Sequence, residues 1–142
     1  MNQFLKINGI SIFYAIFLLV PTELMVNVYR ISRVTGWAID TVNTITTSTI
    51  FVGLILGTIL FYLLTKKWLG RTKWNYITIL SWIPYFVLFV YMFASLFPMT
   101  NRADDPNPVT GLLIIGMVLL YPIYIFLINY IGSLRDLILD SA

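Results

Sequence analysis

Four apolar stretches, each about long enough to cross a bilayer, alternate with short segments that hold nearly every charge of this 142-residue chain. That alternation constrains the fold more than any motif. A hydrocarbon core about 30 Å thick needs a helix of about 20 residues, and only helices or closed barrels satisfy the backbone there. The expected architecture is all-α: a polytopic four-transmembrane-helix bundle, written as two antiparallel hairpins. Spans are expected at about 10–30, 44–65, 75–97 and 111–132 of a single membrane domain covering 1–142. No separate soluble domain is expected within these residues.

The first run goes from about Ile10 to Tyr29, led by Lys6 and followed by Arg30 and Arg33. A basic start and an apolar region also describe a signal peptide. Pro21-Thr22-Glu23-Leu24-Met25 has no small-x-small cleavage site, however, so a retained helix is the expectation. Residues 31–43 suit a short interfacial helix or an early extension of the second span. Asp-Pro and Asn-Pro steps break the chain before the fourth helix, whose pattern continues past the bilayer through Leu134, Leu137 and Ile138.

Basic residues set the expected orientation. Lys6, Lys66, Lys67, Arg71, Lys73 and Arg135 fall on one side; Arg30, Arg33 and Arg102 fall on the other with Asp104 and Asp105. The positive-inside rule then places both termini in the cytoplasm. The connector residues Lys66, Lys67, Trp68, Arg71, Lys73 and Trp74 form an anchor for topology and anionic lipid, since indoles favour the headgroup layer. The net charge of +3 is therefore read as topology, not as nucleic-acid binding. Richness in residues such as Ile, Asn, Tyr and Thr suggests an AT-rich bacterial genome, and on that basis a bacterial cytoplasmic membrane is expected.

Cysteine and histidine are both absent. This excludes disulfides, thiolate nucleophiles, imidazole bases and haem or zinc ligation by histidine. No phosphate-binding glycine loop, catalytic carboxylate pair or metal-ligand spacing is present, so no enzyme, cofactor or metal is expected. Asp104 and Asp105 lack the spacing of a calcium loop and read as a solvated turn.

Two places stand out. Glu23 lies inside the first apolar run, two residues after Pro21, with Asn27 one turn away. A carboxylate at membrane depth marks a proton or ion site by default; the plainer expectation pairs Glu23 with Arg30 or Arg33 at the boundary. Thr49, Gly53 and Gly57 recur every four residues, and the glycines form a GxxxG pair that lets helix backbones approach closely. That face is expected to pack against a helix of the same chain, with a dimer or partner interface as the alternative. Pro21, Pro84 and Pro122 read as structural kinks, and the aromatic third span as bulk packing.

Four spans with an acid in the first are shared with small multidrug resistance transporters. Longer loops and a biased topology separate this chain from them, and no family is assigned. The expected function is that of a non-enzymatic membrane protein acting by helix packing. It would serve as an accessory subunit of a transport, secretion or respiratory assembly, or as a regulator or immunity-type protein. Its partners would be the lipid bilayer and another membrane protein or itself. The alternative is a small oligomeric transporter or channel using Glu23 as a coupling carboxylate.

Overall fold

The computed structural model describes the backbone of residues 2–69 and 73–140, and the side chains of 2–69 and 75–132. Every element among the described residues is helical. Five α-helices follow in order: α1 (Gln3–Val26), α2 (Val28–Thr35), α3 (Ile39–Leu64), α4 (Thr78–Leu96) and α5 (Pro108–Asp140). A π-helical turn (Thr65–Leu69) extends α3, and short 3₁₀ turns cover Lys73–Ile77 and Arg102–Asp104. Four of the helices, α1 and α3 to α5, are long and apolar enough to cross a membrane.

The first apolar run is not one helix. It passes through Pro21 without interruption and breaks at Asn27, whose φ of −95° and ψ of 10° leave the helical range. The Asn27 carboxamide bonds the Glu23 carbonyl at 2.9 Å, beside the backbone bond that Asn27 N makes to the same oxygen at 3.0 Å. Such local side-chain bonding is how asparagine competes with helix propagation. Beyond it, α2 forms a short separate helix that takes in the first part of the 31–43 segment. Residues 39–43 are an early extension of the second span, since α3 already begins at Ile39. Gly36 ends α2 in the left-handed region (φ 72°), where glycine pays no Cβ penalty.

The closest pairing joins the first and third spans, α1 and α4. α1 also touches α3 and α5, whereas α3 and α4 make no substantial contact with each other. The bundle is thus a diamond: α1 and α5 form its short diagonal, and α3 and α4 sit at opposite corners. α1 is accordingly the most covered span, and α3 and α4 are the least.

Aromatic rings fill the centre. Tyr14 stacks on Phe61 with centroids 4.3 Å apart, and Trp82 meets Tyr121 edge-on at 4.9 Å. Lipid offers no hydrophobic drive for helix association, so close packing and polar ties hold the helices together. The ties are present. Ser11 bonds Ser81 and Tyr85 bonds Asn8 between α1 and α4; Tyr121 donates to the Tyr14 carbonyl at 2.7 Å. Thr58 of α3 and Tyr124 of α5 share a hydrogen bond of 2.9 Å.

Candidate functional site

The diamond leaves a groove where α1, α3 and α5 diverge. Its volume is about 690 Å³, and its walls are almost entirely apolar. α1 contributes residues from Phe13 to Leu24, α3 from Thr49 to Phe61, and α5 forms the floor with Met117, Leu120, Tyr121 and Tyr124. The glycine face predicted for helix packing lines this groove, and its two glycines differ. A Cβ on Gly57 would lie 2.0 Å from the Phe17 ring, so Gly57 is where α3 meets α1 most closely. A Cβ on Gly53 would meet nothing within 4 Å, and Thr49 is exposed. The face is tight against the chain's own α1 at one end and open at the other.

Glu23 stands beside the open end. On α1, Ile16, Val20, Glu23 and Asn27 follow one another at spacings of four, three and four, which stacks them along one edge of the helix. Ile16 and Val20 line the groove, and Leu24 next to Glu23 is its outermost α1 residue. Glu23 is half-buried and accepts a hydrogen bond from the buried Asn27 amide at 3.2 Å.

The expected pairing of Glu23 with Arg30 or Arg33 is corrected. Arg30 donates to the Phe97 carbonyl at 2.9 Å, while Arg33 grips Asp104 with two bonds of 2.7 Å each. The cause is the break at Asn27: α2 turns away from the α1 axis and carries both arginines toward the loop after α4. Among the described residues, Glu23 has no ion pair.

Asp104 overturns a second expectation. It is no solvated turn residue, since its side chain is 3% exposed beneath Arg33. The Arg33 hydrogen bonds hold the Asp104 carboxyl below its usual range against the opposing effect of burial, with the charges of Arg33 and Arg30 adding to the depression. Asn101 accepts from Ala103 N at 3.0 Å and shapes the 3₁₀ turn that presents Asp104. Sequence reasoning placed Arg33 and Asp104 on the same side but did not join them; opposite charges in two facing short loops were the available signal.

The other end of the bundle is polar in a different way. Buried Asn129 of α5 donates to the Asn75 carbonyl at 3.2 Å and to Thr78 Oγ1 at 2.9 Å. The hydroxyls of Tyr14 and Thr65 are buried, and the Asn129 carboxamide oxygen is buried without a hydrogen-bond partner among the described residues. The π-helical turn aims Thr65 and Leu69 inward and Lys66 and Lys67 outward. Trp68 is half-buried against the core and Gly9. Of the remaining anchor residues, Arg71 and the side chains of Lys73 and Trp74 lie outside the described residues.

Nothing matches this chain in comparisons with protein-family models, curated proteins and solved structures. Its function has to be argued from its own residues. No group of three or more acidic residues that could hold a metal occurs among the described residues.

Proposed function

We propose that this protein is a small non-enzymatic membrane component that acts by helix packing, docking another membrane protein against the outward face of α3. The observation that carries this reading is a seam on that helix. Thr41, Thr44, Ser48, Phe51 and Ile55 follow at alternating spacings of three and four, and all five are exposed. That is the spacing of a left-handed helix–helix contact. Hydroxyls in its outer half suit hydrogen bonding across an interface inside lipid. α3 occupies a corner of the diamond, so the seam is clear of α4 and α5.

The role fits an accessory subunit of a transport, secretion or respiratory assembly, or a regulator or immunity-type protein, in a bacterial cytoplasmic membrane with both termini inside. The alternative of Glu23 as a coupling carboxylate draws less support, because no second titratable group among the described residues acts on it to continue a proton or ion path. A photocrosslinking residue at Phe51 or Ile55, introduced at native expression, tests the proposal. A discrete adduct is expected from these positions and not from the exposed Leu119 of α5. A chain that yields no adduct at the seam, and purifies in mild detergent without a partner or a second copy, would sink it.

A further inference from the structure

The apolar groove ends on α1 at Leu24, and the residue beside Leu24 is the carboxylate Glu23; the two together describe an amphiphile. The stretch of α1 that lines the groove, Phe13 to Leu24, covers 11 residue steps, or about 16 Å at 1.5 Å per residue. That is about half of a 30 Å hydrocarbon core, the depth of one leaflet. A spanning helix laid in the groove would be supported over only half its length. One lipid tail would be supported over all of it. The nearly uniform apolar wall asks for an occupant with no polar group along that depth.

The rim asks for a positive charge. A carboxylate near membrane depth is costly unless paired, and the two arginines that follow it in the sequence are engaged elsewhere, Arg33 on Asp104 and Arg30 on the Phe97 carbonyl. Asn27 donates to one carboxylate oxygen, Glu23 Oε2. It fixes the side chain at the rim and leaves Glu23 Oε1 free of any described bond. A primary ammonium supplies both charge and N–H donors, and a charge-assisted bond to a carboxylate is among the strongest of its kind.

We propose that the groove between α1, α3 and α5 binds an amine-headgroup phospholipid, with one acyl chain along Val20, Gly53 and Leu60 and the ammonium on Glu23. The site is independent of the α3 seam, which faces the other way. Ethanolamine is preferred to choline because its nitrogen donates hydrogen bonds, and to glycerol because it is cationic.

The full chain in mild detergent is offered an equal mixture of phosphatidylethanolamine, phosphatidylcholine and phosphatidylglycerol with identical acyl chains, and retained lipid is read by native mass spectrometry. The wild type should retain the ethanolamine lipid roughly tenfold over the glycerol lipid. Glu23→Gln should level the three. Gly53→Phe, which fills the groove, should lower retention of all. Equal retention by the wild type, or an unchanged preference in a folded Glu23→Gln, overturns the proposal. Full displacement of the lipid by an equimolar single-chain trimethylammonium detergent overturns the choice of a phospholipid as occupant. A phosphatidylethanolamine with a photoreactive acyl chain, applied to the wild type alone, should label residues 13–24 and 49–61. Labelling confined to other segments also overturns it.

Discussion

Arg33 and Asp104 lie 71 positions apart and meet through two hydrogen bonds of 2.7 Å each. The contact ties α2 to the turn after α4, and so fixes one end of the diamond where α3 and α4 do not hold each other. A bidentate guanidinium–carboxylate pair has geometric specificity that a lysine would lack.

Its pH dependence has a definite sign. The Asp104 carboxyl is held below its ordinary value, chiefly by the hydrogen bonds from Arg33. A group lowered in the folded state contributes stability that is complete above its unfolded pKa and lost as pH falls through the folded one. The melting temperature of Asp104→Asn should therefore lie below wild type by a constant margin between roughly pH 5 and 7. The margin should close as pH drops below the ordinary aspartate value of about 3.9. Thermal unfolding of both proteins across that range is the check, and a margin independent of pH would contradict the pairing.

The two glycines of the α3 face separate cleanly by substitution. Gly57→Ala forces a methyl into the Phe17 ring, which Phe61 and Tyr124 flank with centroids 5.0 and 6.2 Å away. Overpacking of that kind costs about 1–3 kcal/mol. Gly53→Ala meets open space and gains helix propensity, so it should be neutral or slightly stabilising. Denaturation in bicelles would read the difference, and equal effects at the two sites would argue against close approach at Gly57.

Pairing of α1 with α4 predicts coupling between Ser11 and Ser81. A double-mutant cycle with alanine at both should return about 0.6 kcal/mol, the usual size for an interhelical hydrogen bond in a bilayer. Tyr85→Phe with Asn8→Ala should couple by a similar amount, and Ser11 with Tyr85 much less. Additive Ser11 and Ser81 effects would remove the tie.

The absence of cysteine makes orientation directly testable. Single cysteines at Lys67 and Arg102 lie in connectors on opposite sides. An impermeant maleimide applied to intact cells should label the Arg102 position and spare the Lys67 position. The reverse pattern would place the termini outside.

Four spans were legible because composition alone separates apolar stretches from charged connectors, and lipid leaves the backbone few options. The break at Asn27 was not, since apolar residues run on to Tyr29 and the cause is a side chain bonding its own helix. The α1–α4 pairing was hidden as well: one serine on each helix looks incidental until the helices are set side by side. At the site, Glu23, Gly53 and Gly57 drew attention by residue type. Their relation to one groove depended on helix phase and on the corner position of α3, which no local pattern encodes. The aromatics of the third span read as bulk packing, yet Tyr85 ties two helices together, as do Tyr121 and Tyr124 of the fourth.

The pairing of the first span with the third also sets a timetable for synthesis. Ser81 is made 70 residues after Ser11, which at 5–20 residues per second is a delay on the order of 4–14 s. Throughout it, α1 has to reside in the membrane with its eventual contact surface bare. The chain provides for that interval locally. Ser11 bonds the Ile7 carbonyl and Asn8 bonds the Phe4 carbonyl, each at 2.8 Å and each within the newborn helix. The donor of each side chain therefore enters lipid already partnered, and the later helix adds to bonds that α1 can make alone.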